Sequence, residues 1–182
     1  LVLCSDKGLA GAYSSNALKM AVAEISECED EVVVITCGRK ARDFFTRRGF
    51  NVIQSHIGFS DRPTYENAVD IAQDAIKTFA SEGFDKLNIV YTVFKTALSQ
   101  IPTSEVILPV EPPVKEEGKA QASFMFEPGE DDTLTVLAPK YLETVVYAAL
   151  VQSAASELGS RMTAMSSATD NAAKLVSSLQ LS

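Results

Sequence analysis

A repeat of apolar and small residues at alternating spacings of four and three dominates the C-terminal third of the chain. We call these positions the seam: Val151, Ala155, Leu158, Met162, Met165, Thr169, Ala172, Val176 and Leu179. This is the a/d rhythm of a heptad repeat, sustained for about four heptads, and it indicates a coiled coil rather than an ordinary surface helix. A seam needs a partner helix, and no other stretch of the sequence has the same rhythm and length.

The helix that carries the seam is predicted to be long. Residues 140–182 contain no proline and only one glycine, Gly159. At ~1.5 Å of rise per residue, this stretch would extend for about 65 Å. A domain of this size could not cover such a helix, so we expect it to project. Asp131 and Asp132 favour a helix N-terminus at their position, and Pro139 is expected to kink or restart the helix.

The first half of the chain alternates between two periodicities. Strand-like runs occupy residues 1–5, 31–37, 51–57 and 87–94, and helical patterns occupy residues 14–27, 39–48 and 64–81. The run at 31–37 is β-branched and nearly continuous, which is typical of a strand buried on both faces. This alternation predicts a Rossmann-like α/β domain with a mostly parallel sheet and helices on its faces.

A fifth apolar run at residues 105–110 changes the topology. Only residues 95–103 separate it from the fourth strand. Parallel pairing needs a crossover of about a dozen or more residues, so the fifth strand is predicted to be antiparallel. Pro109 places it at an edge of the sheet. We therefore predict a five-stranded, mostly parallel sheet with an antiparallel edge strand in a domain of residues 1–128. A shaft helix, residues 129–182, follows it.

Composition limits the classes of function. The chain has 182 residues and a formal net charge of −8. An acidic balance argues against a nucleic-acid partner, which would require a basic face. No apolar run approaches the ~20 residues that cross a bilayer. Cys4 and Cys37 lie in apolar strand-like runs, so we predict reduced, buried thiols. The three cysteines and the single histidine lack the spacing of a zinc site, so we predict no metal.

The segment of residues 5–16 is the first candidate for chemistry, because it follows a strand and opens a helix. Phosphates are bound at that place in nucleotide-binding folds. Gly8 and Gly11 lie three apart, without the third glycine of GxGxxG and without a GK[ST] sequence. A tight turn is favoured over a nucleotide site, and a Rossmann-like nucleotide-binding enzyme stays an alternative. Asp6 is a candidate carboxylate without a base or metal partner.

A second alternative is an adaptor that dimerises through its coiled coil. Such a dimer would favour Leu and Ile at the a and d positions. The seam instead contains Met, Ala and Thr. This composition favours a dedicated partner helix over a second copy of the same helix.

Two segments resemble a known family. Residues 5–16, Ser-Asp-Lys-Gly-Leu-Ala-Gly through Asn16, resemble the first strand–loop signature of the gamma subunit of F-type ATP synthases. Residues 155–172, which include Ser156-Glu157 and Arg161-Met162, resemble that family's C-terminal helix signature, the more specific of the two. The segments lie in the family's order at opposite ends, so the resemblance covers essentially the whole chain.

The resemblance implies a non-catalytic rotor shaft without an active site or cofactor. In the family, the N- and C-terminal helices form an antiparallel coiled coil inside the ring of alpha and beta subunits. A Rossmann-like domain lies beside epsilon and on the c ring, and rotation couples proton flow to ATP synthesis. We therefore expect a peripheral protein at the cytoplasmic face of a bacterial plasma membrane, rather than in the mitochondrial matrix or stroma. It would contact the membrane only through the c ring.

The resemblance also implies that this chain is a fragment. The family's N-terminal helix would precede Leu1, and the far end of the C-terminal helix would follow Ser182. The expected partner of the seam is that N-terminal helix.

The resemblance assigns roles to four further residues. Glu157 and Arg161 are expected to couple rotor and stator, and Phe124 and Phe126 are expected to contact epsilon and the c ring. From the residues alone, Glu157 and Arg161 at i and i+4 also suggest a surface ion pair worth ~0.3–0.5 kcal/mol.

Overall fold

The computed structural model describes residues 1–109 and 130–180, with all side chains except those of Glu82 and residues 130–136. The segment 122–127, predicted to be a short strand, lies outside the described residues. The elements in chain order are β1 (Val2–Leu3), α1 (Tyr13–Glu27), β2 (Val34–Cys37), α2 (Arg39–Arg47), β3 (Val52–His56), α3 (Tyr65–Glu82), β4 (Leu87–Thr96), β5 (Ser99–Leu108) and α4 (Glu130–Gln180).

The described strands form one sheet in the order β3-β2-β1-β4-β5. The pairs among β1 to β4 are parallel, and β5 pairs with β4 in the antiparallel sense. The predicted mostly parallel sheet with an antiparallel edge strand is therefore confirmed. The predicted connection of residues 95–103 is wrong, because β4 continues to Thr96 and β5 begins at Ser99. The Thr96 hydroxyl accepts hydrogen bonds from the amides of Leu98 and Ser99 and closes this tight turn.

Helices cover both faces of the sheet. On one face, α1 and α2 bury Leu18 and Phe45 against the strands. On the other face, α3 and α4 bury Ile71, Leu142 and Val146. Each large aliphatic or aromatic side chain buried in this way stabilises the fold by about 1.5–3 kcal/mol. All of β2 is buried, as its β-branched run predicted.

Helix α4 is continuous over 51 residues and passes through Pro139 without restarting. The predicted kink there stays a prediction. Residues 142–157 of α4 supply part of the core of the sheet domain. The predicted domain boundary between residues 128 and 129 also stays a prediction. Although α4 follows this boundary in the sequence, its residues 142–157 pack into the core of the sheet domain.

The far half of α4 projects from the sheet. Every residue from Met165 to Gln180 is exposed. Along the seam, the exposed fraction is 60% for Met162 and 67% for Leu179. The predicted projecting helix is confirmed, and its apolar side is not folded back onto the sheet.

Candidate functional site

The strand order reverses between β1 and β4, and α4 crosses the sheet at this point. In open α/β sheets, ligands bind in the crevice outside the carboxyl ends of the strands at such a reversal. In this chain, Ser153, Ser156 and Glu157 of α4 are buried there. Tyr13, at the start of α1, is also buried and lies beside them. The crevice is therefore filled by the protein's own side chains, which weighs against the nucleotide-binding alternative.

The candidate carboxylate of Asp6 holds three loops together. One oxygen accepts a hydrogen bond from the amide of Arg39 at 2.9 Å. The other accepts from the amides of Gly58 at 2.8 Å and Ser60 at 3.0 Å. Asp6 thus occupies the N-terminus of α2, where an anionic ligand would otherwise be favoured. Its role in this geometry is to join the loops that follow β1, β2 and β3.

The glycine-rich loop packs against α4. Gly11 has a positive φ of 53°, and a Cβ built there would lie 3.9 Å from the Cβ of Ala164. The carbonyl oxygen of Gly8 accepts hydrogen bonds from Arg161 at 3.3 and 3.4 Å. The turn favoured by the sequence therefore forms part of the surface on which the helix lies.

Glu157 and Arg161 form an ion pair at this surface. Glu157 is 0% exposed, and the Arg161 side chain is 16% exposed. The alternative of a surface pair is wrong, because α4 turns Glu157 toward the sheet. Arg161 Nη2 donates to Glu157 Oε1 at 2.6 Å, whereas Glu157 Oε2 is buried without a hydrogen-bond partner. The neutral groups nearby include the Tyr13 phenol and the Cys4 thiol. Burial raises the pKa of both, and the charge of Glu157 adds to the effect.

A second polar contact holds the near half of α4. Glu143 Oε2 accepts hydrogen bonds from the Tyr65 hydroxyl at 2.7 Å and from Lys140 Nζ at 2.8 Å. The bonds from Lys140 and then Tyr65 hold the pKa of the Glu143 carboxyl below its ordinary value. Since Tyr65 begins α3, this contact joins the two helices that share one face of the sheet.

The seam lies on the side of α4 that the sheet does not cover. Val151, Leu158, Met162 and Met165 are exposed, while Ser153, Ser156 and Glu157 on the other side are buried. Over residues 151–165, this is the reverse of an ordinary surface helix, which turns its apolar stripe toward the core. A contiguous exposed apolar stripe marks an interaction site.

The sequence reasoning missed Gln152, Ser153 and Ser156 and the role of Gly159. A signal was present: the core-facing positions Leu142, Val146 and Leu150 of α4 continue at helical spacing into Ser153 and Glu157. Polar residues on an otherwise apolar helix face indicate buried polar contacts, because each buried polar group needs a partner.

The placement of the other predicted site residues is mixed. Phe124 and Phe126 lie outside the described residues. The described residues hold no group of three or more His, Cys, Asp or Glu that could bind a metal ion. Among the described helices, none has the length and apolar character that crossing a membrane requires.

Comparison with known proteins gives a consistent result. A family model described as ATP synthase matches residues 1–182. The ATP synthase gamma chain of Halothermothrix orenii is 40% identical over 185 residues, covering 100% of this chain and 64% of the relative. The ATP synthase gamma chain of Brevibacillus brevis is 41% identical over 185 residues with the same coverage. This chain therefore spans about two thirds, 64%, of the length of these relatives.

Solved structures share the fold. The central stalk/c-ring structure of the Tetrahymena thermophila mitochondrial ATP synthase matches with a TM-score of 0.70 and 24% identity, covering 92% of this chain and 74% of that chain. The rotor structure of the Euglena gracilis mitochondrial ATP synthase matches with a TM-score of 0.67 and 17% identity, covering 95% of this chain and 67% of that chain.

Proposed function

Since the chain belongs to the family of ATP synthase gamma chains, we propose that it is the non-catalytic central shaft of an F-type ATP synthase. Its proposed partners are the alpha and beta subunits of the catalytic ring, the epsilon subunit and the ring of c subunits. Rotation of the c ring would turn the shaft, and the shaft would drive the catalytic subunits through their states in turn.

The uncovered seam is the observation that carries this proposal. A helix with one apolar stripe is marginal alone in water and gains most of its stability by packing that stripe. From Met165 to Val176, the stripe of α4 is exposed in the part of the chain that the structure describes. The N-terminal helix of a gamma chain is the proposed partner for this stripe, and the pair would form a shaft stiff enough to carry torque.

The ion pair of Glu157 and Arg161 fits a role in coupling. Because Glu157 is buried, it would act on the stator only through Arg161, whose side chain reaches the surface. We propose that Glu157 orients the guanidinium group and that Arg161 contributes the contact outside the rotor. Phe124 and Phe126 remain the proposed contacts with epsilon and the c ring.

The proposed location is the cytoplasmic face of a bacterial plasma membrane. The gamma chains of two bacteria, at 40% and 41% identity, support this choice over an organelle. Contact with the membrane would be indirect, through the c ring.

Substitution of the seam in the full-length chain tests the proposal. In the assembled enzyme, Met162→Asp with Met165→Asp would place two charges against the partner helix. We expect ATP-driven proton pumping in inverted membrane vesicles to fall at least tenfold. The matched control is Ser167→Asp, which lies off the seam on an equally exposed part of α4. Normal pumping in the double variant would refute the shaft assignment.

A further inference from the structure

Strand β4 is much longer than its parallel neighbour β1. β1 contains only Val2 and Leu3, and it pairs with β4 at Val90. The Val90 amide donates to the Leu1 carbonyl oxygen at 2.8 Å. β4 continues to Thr96, beyond the end of β1. The backbone groups of β4 that face this side therefore need another source of hydrogen bonds, since unpaired buried backbone groups are costly.

Side chains of α4 supply those hydrogen bonds. The Thr92 amide donates to Ser153 Oγ at 3.3 Å, and Ser156 Oγ donates to the Thr92 carbonyl oxygen at 3.1 Å. The Phe94 amide donates to Gln152 Oε1 at 3.0 Å. Alternate residues of a strand present their backbone groups to the same side. The ladder that begins at Val90 thus continues through Thr92 and Phe94, with a helix in place of a strand.

These contacts are specific to the interface. A serine within a helix often bonds the carbonyl oxygen four residues before it in the same helix. Ser153 and Ser156 are buried and instead bond the backbone of β4. Further along α4, Ser160 Oγ bonds Gln100 Oε1 at 2.9 Å, and Thr163 Oγ1 donates to the Ala97 carbonyl oxygen at 3.0 Å. The helix is therefore bonded along β4 and on to the hairpin turn.

We propose that Gln152, Ser153 and Ser156 form a side-chain ladder that fixes the rotational setting of α4 on β4. Apolar contacts are non-directional and allow a helix to turn or slide in its groove. Hydrogen bonds require a defined distance and angle, so they oppose such movement. This inference rests on the proposed shaft function. Torque on the projecting half of α4 would pass to the sheet without rotation of the helix at its contact with β4.

Amide exchange in the full-length chain within the assembled enzyme tests the ladder itself. Ser153→Thr and Ser153→Val add similar bulk, but only threonine keeps the hydroxyl. Gln152→Glu and Gln152→Leu form a second pair at an exposed position, and only glutamate keeps the acceptor. We expect peptides that contain Thr92 and Phe94 to exchange roughly fivefold faster in the Val and Leu variants than in their partners. Equal exchange within both pairs would overturn the ladder.

Pumping under load tests the mechanical role. In the same enzymes, we expect the protons pumped per ATP hydrolysed against a gradient to fall at least twofold in Ser153→Val relative to Ser153→Thr, while hydrolysis without a gradient is retained. Faster exchange with an unchanged ratio would overturn the torque-bearing role. A parent enzyme that does not pump would instead refute the shaft function, and the exchange result would still decide whether the ladder forms.

Discussion

At the scale of single residues, Glu157 is a carboxylate buried with one cation beside it. Moving such a charge out of water costs several kcal/mol, and a pair offsets this only with good geometry. Arg161 provides a short bond to one oxygen, while the other oxygen has no protein partner. Removing one member of the pair should therefore lower the free energy of unfolding far more than removing both charges.

Arg161→Met is expected to lower the free energy of unfolding by about 3 kcal/mol, because it leaves the Glu157 charge buried alone. The double variant Arg161→Met with Glu157→Gln should recover a large part of that loss. Urea denaturation of the three proteins measures both effects. Arg47→Met, on the exposed end of α2, is the control and should change stability by less than about 0.5 kcal/mol. Equal losses in the single and double variants would contradict the importance of the unpaired charge.

Glu143 gives a pH dependence. Its pKa is depressed from 4.5 by the bonds from Lys140 and Tyr65. A carboxyl whose pKa is depressed by folding stabilises the folded state when the pH is above the ordinary pKa of that group. This stabilisation is lost as the pH falls through the folded-state pKa. Glu143→Gln should therefore lower stability at pH 7 and flatten its decline below about pH 4.5. Thermal melts across this range provide the measurement; parallel pH profiles for the two proteins would be inconsistent with the shift.

At the scale of elements, the sequence predicted the features that depend on a local pattern of residues within one element. The heptad rhythm is continuous and belongs to one face, so it predicted a long helix with an apolar stripe, and α4 has both. The role of the seam in a shaft stays a prediction. The opposite face was missed, because Ser153 and Ser156 are buried only by packing against β4. This strand is distant in sequence: Thr92 and Ser153 are 61 residues apart. Such a relation depends on the tertiary fold and not on local spacing.

Element ends were predicted less well than the elements themselves. The helical pattern predicted that α1 begins at residue 14, whereas the helix begins at Tyr13 after the N-cap residue Ala12. Ser14 Oγ lies 2.6 Å from Ser5 Oγ, in the loop that follows β1. The bounds of the β4–β5 hairpin were also missed. Its turn extends past the end of β1, and the residues there are mostly polar. They therefore lack the apolar pattern that predicts a strand.

Gly159 determines how closely α4 approaches the hairpin. A Cβ at this position would lie 3.0 Å from Phe94 Cε2 and 3.5 Å from Ala97 Cα. Glycine ordinarily weakens a helix by about 1 kcal/mol relative to alanine. We nevertheless expect Gly159→Val to destabilise the protein by about 1–3 kcal/mol through overpacking. Ala168→Val, on the exposed part of α4, is the comparison. A higher melting temperature for Gly159→Val would show that the close approach is not required.

At the scale of the whole molecule, one helix has two different surfaces. Its polar side is bonded to the sheet, and its seam faces outward along the projecting half. We expect the first surface to make α4 move with the domain, and the second leaves α4 open to a partner helix. We propose the N-terminal helix of a gamma chain as that partner from the resemblance of residues 5–16 and 155–172, because periodicity alone does not name one.

Rotation of the proposed shaft within an immobilised ring of alpha and beta subunits is the sharpest test of the rotor function. Cys28 is exposed, whereas Cys4 and Cys37 are buried, and burial raises the pKa of Cys37 to about 12. Because the thiolate is the reactive form, a maleimide probe should attach at Cys28. We expect the probe on the full-length chain to turn in one direction while ATP is hydrolysed. A stationary probe on a ring that hydrolyses ATP would contradict this expectation.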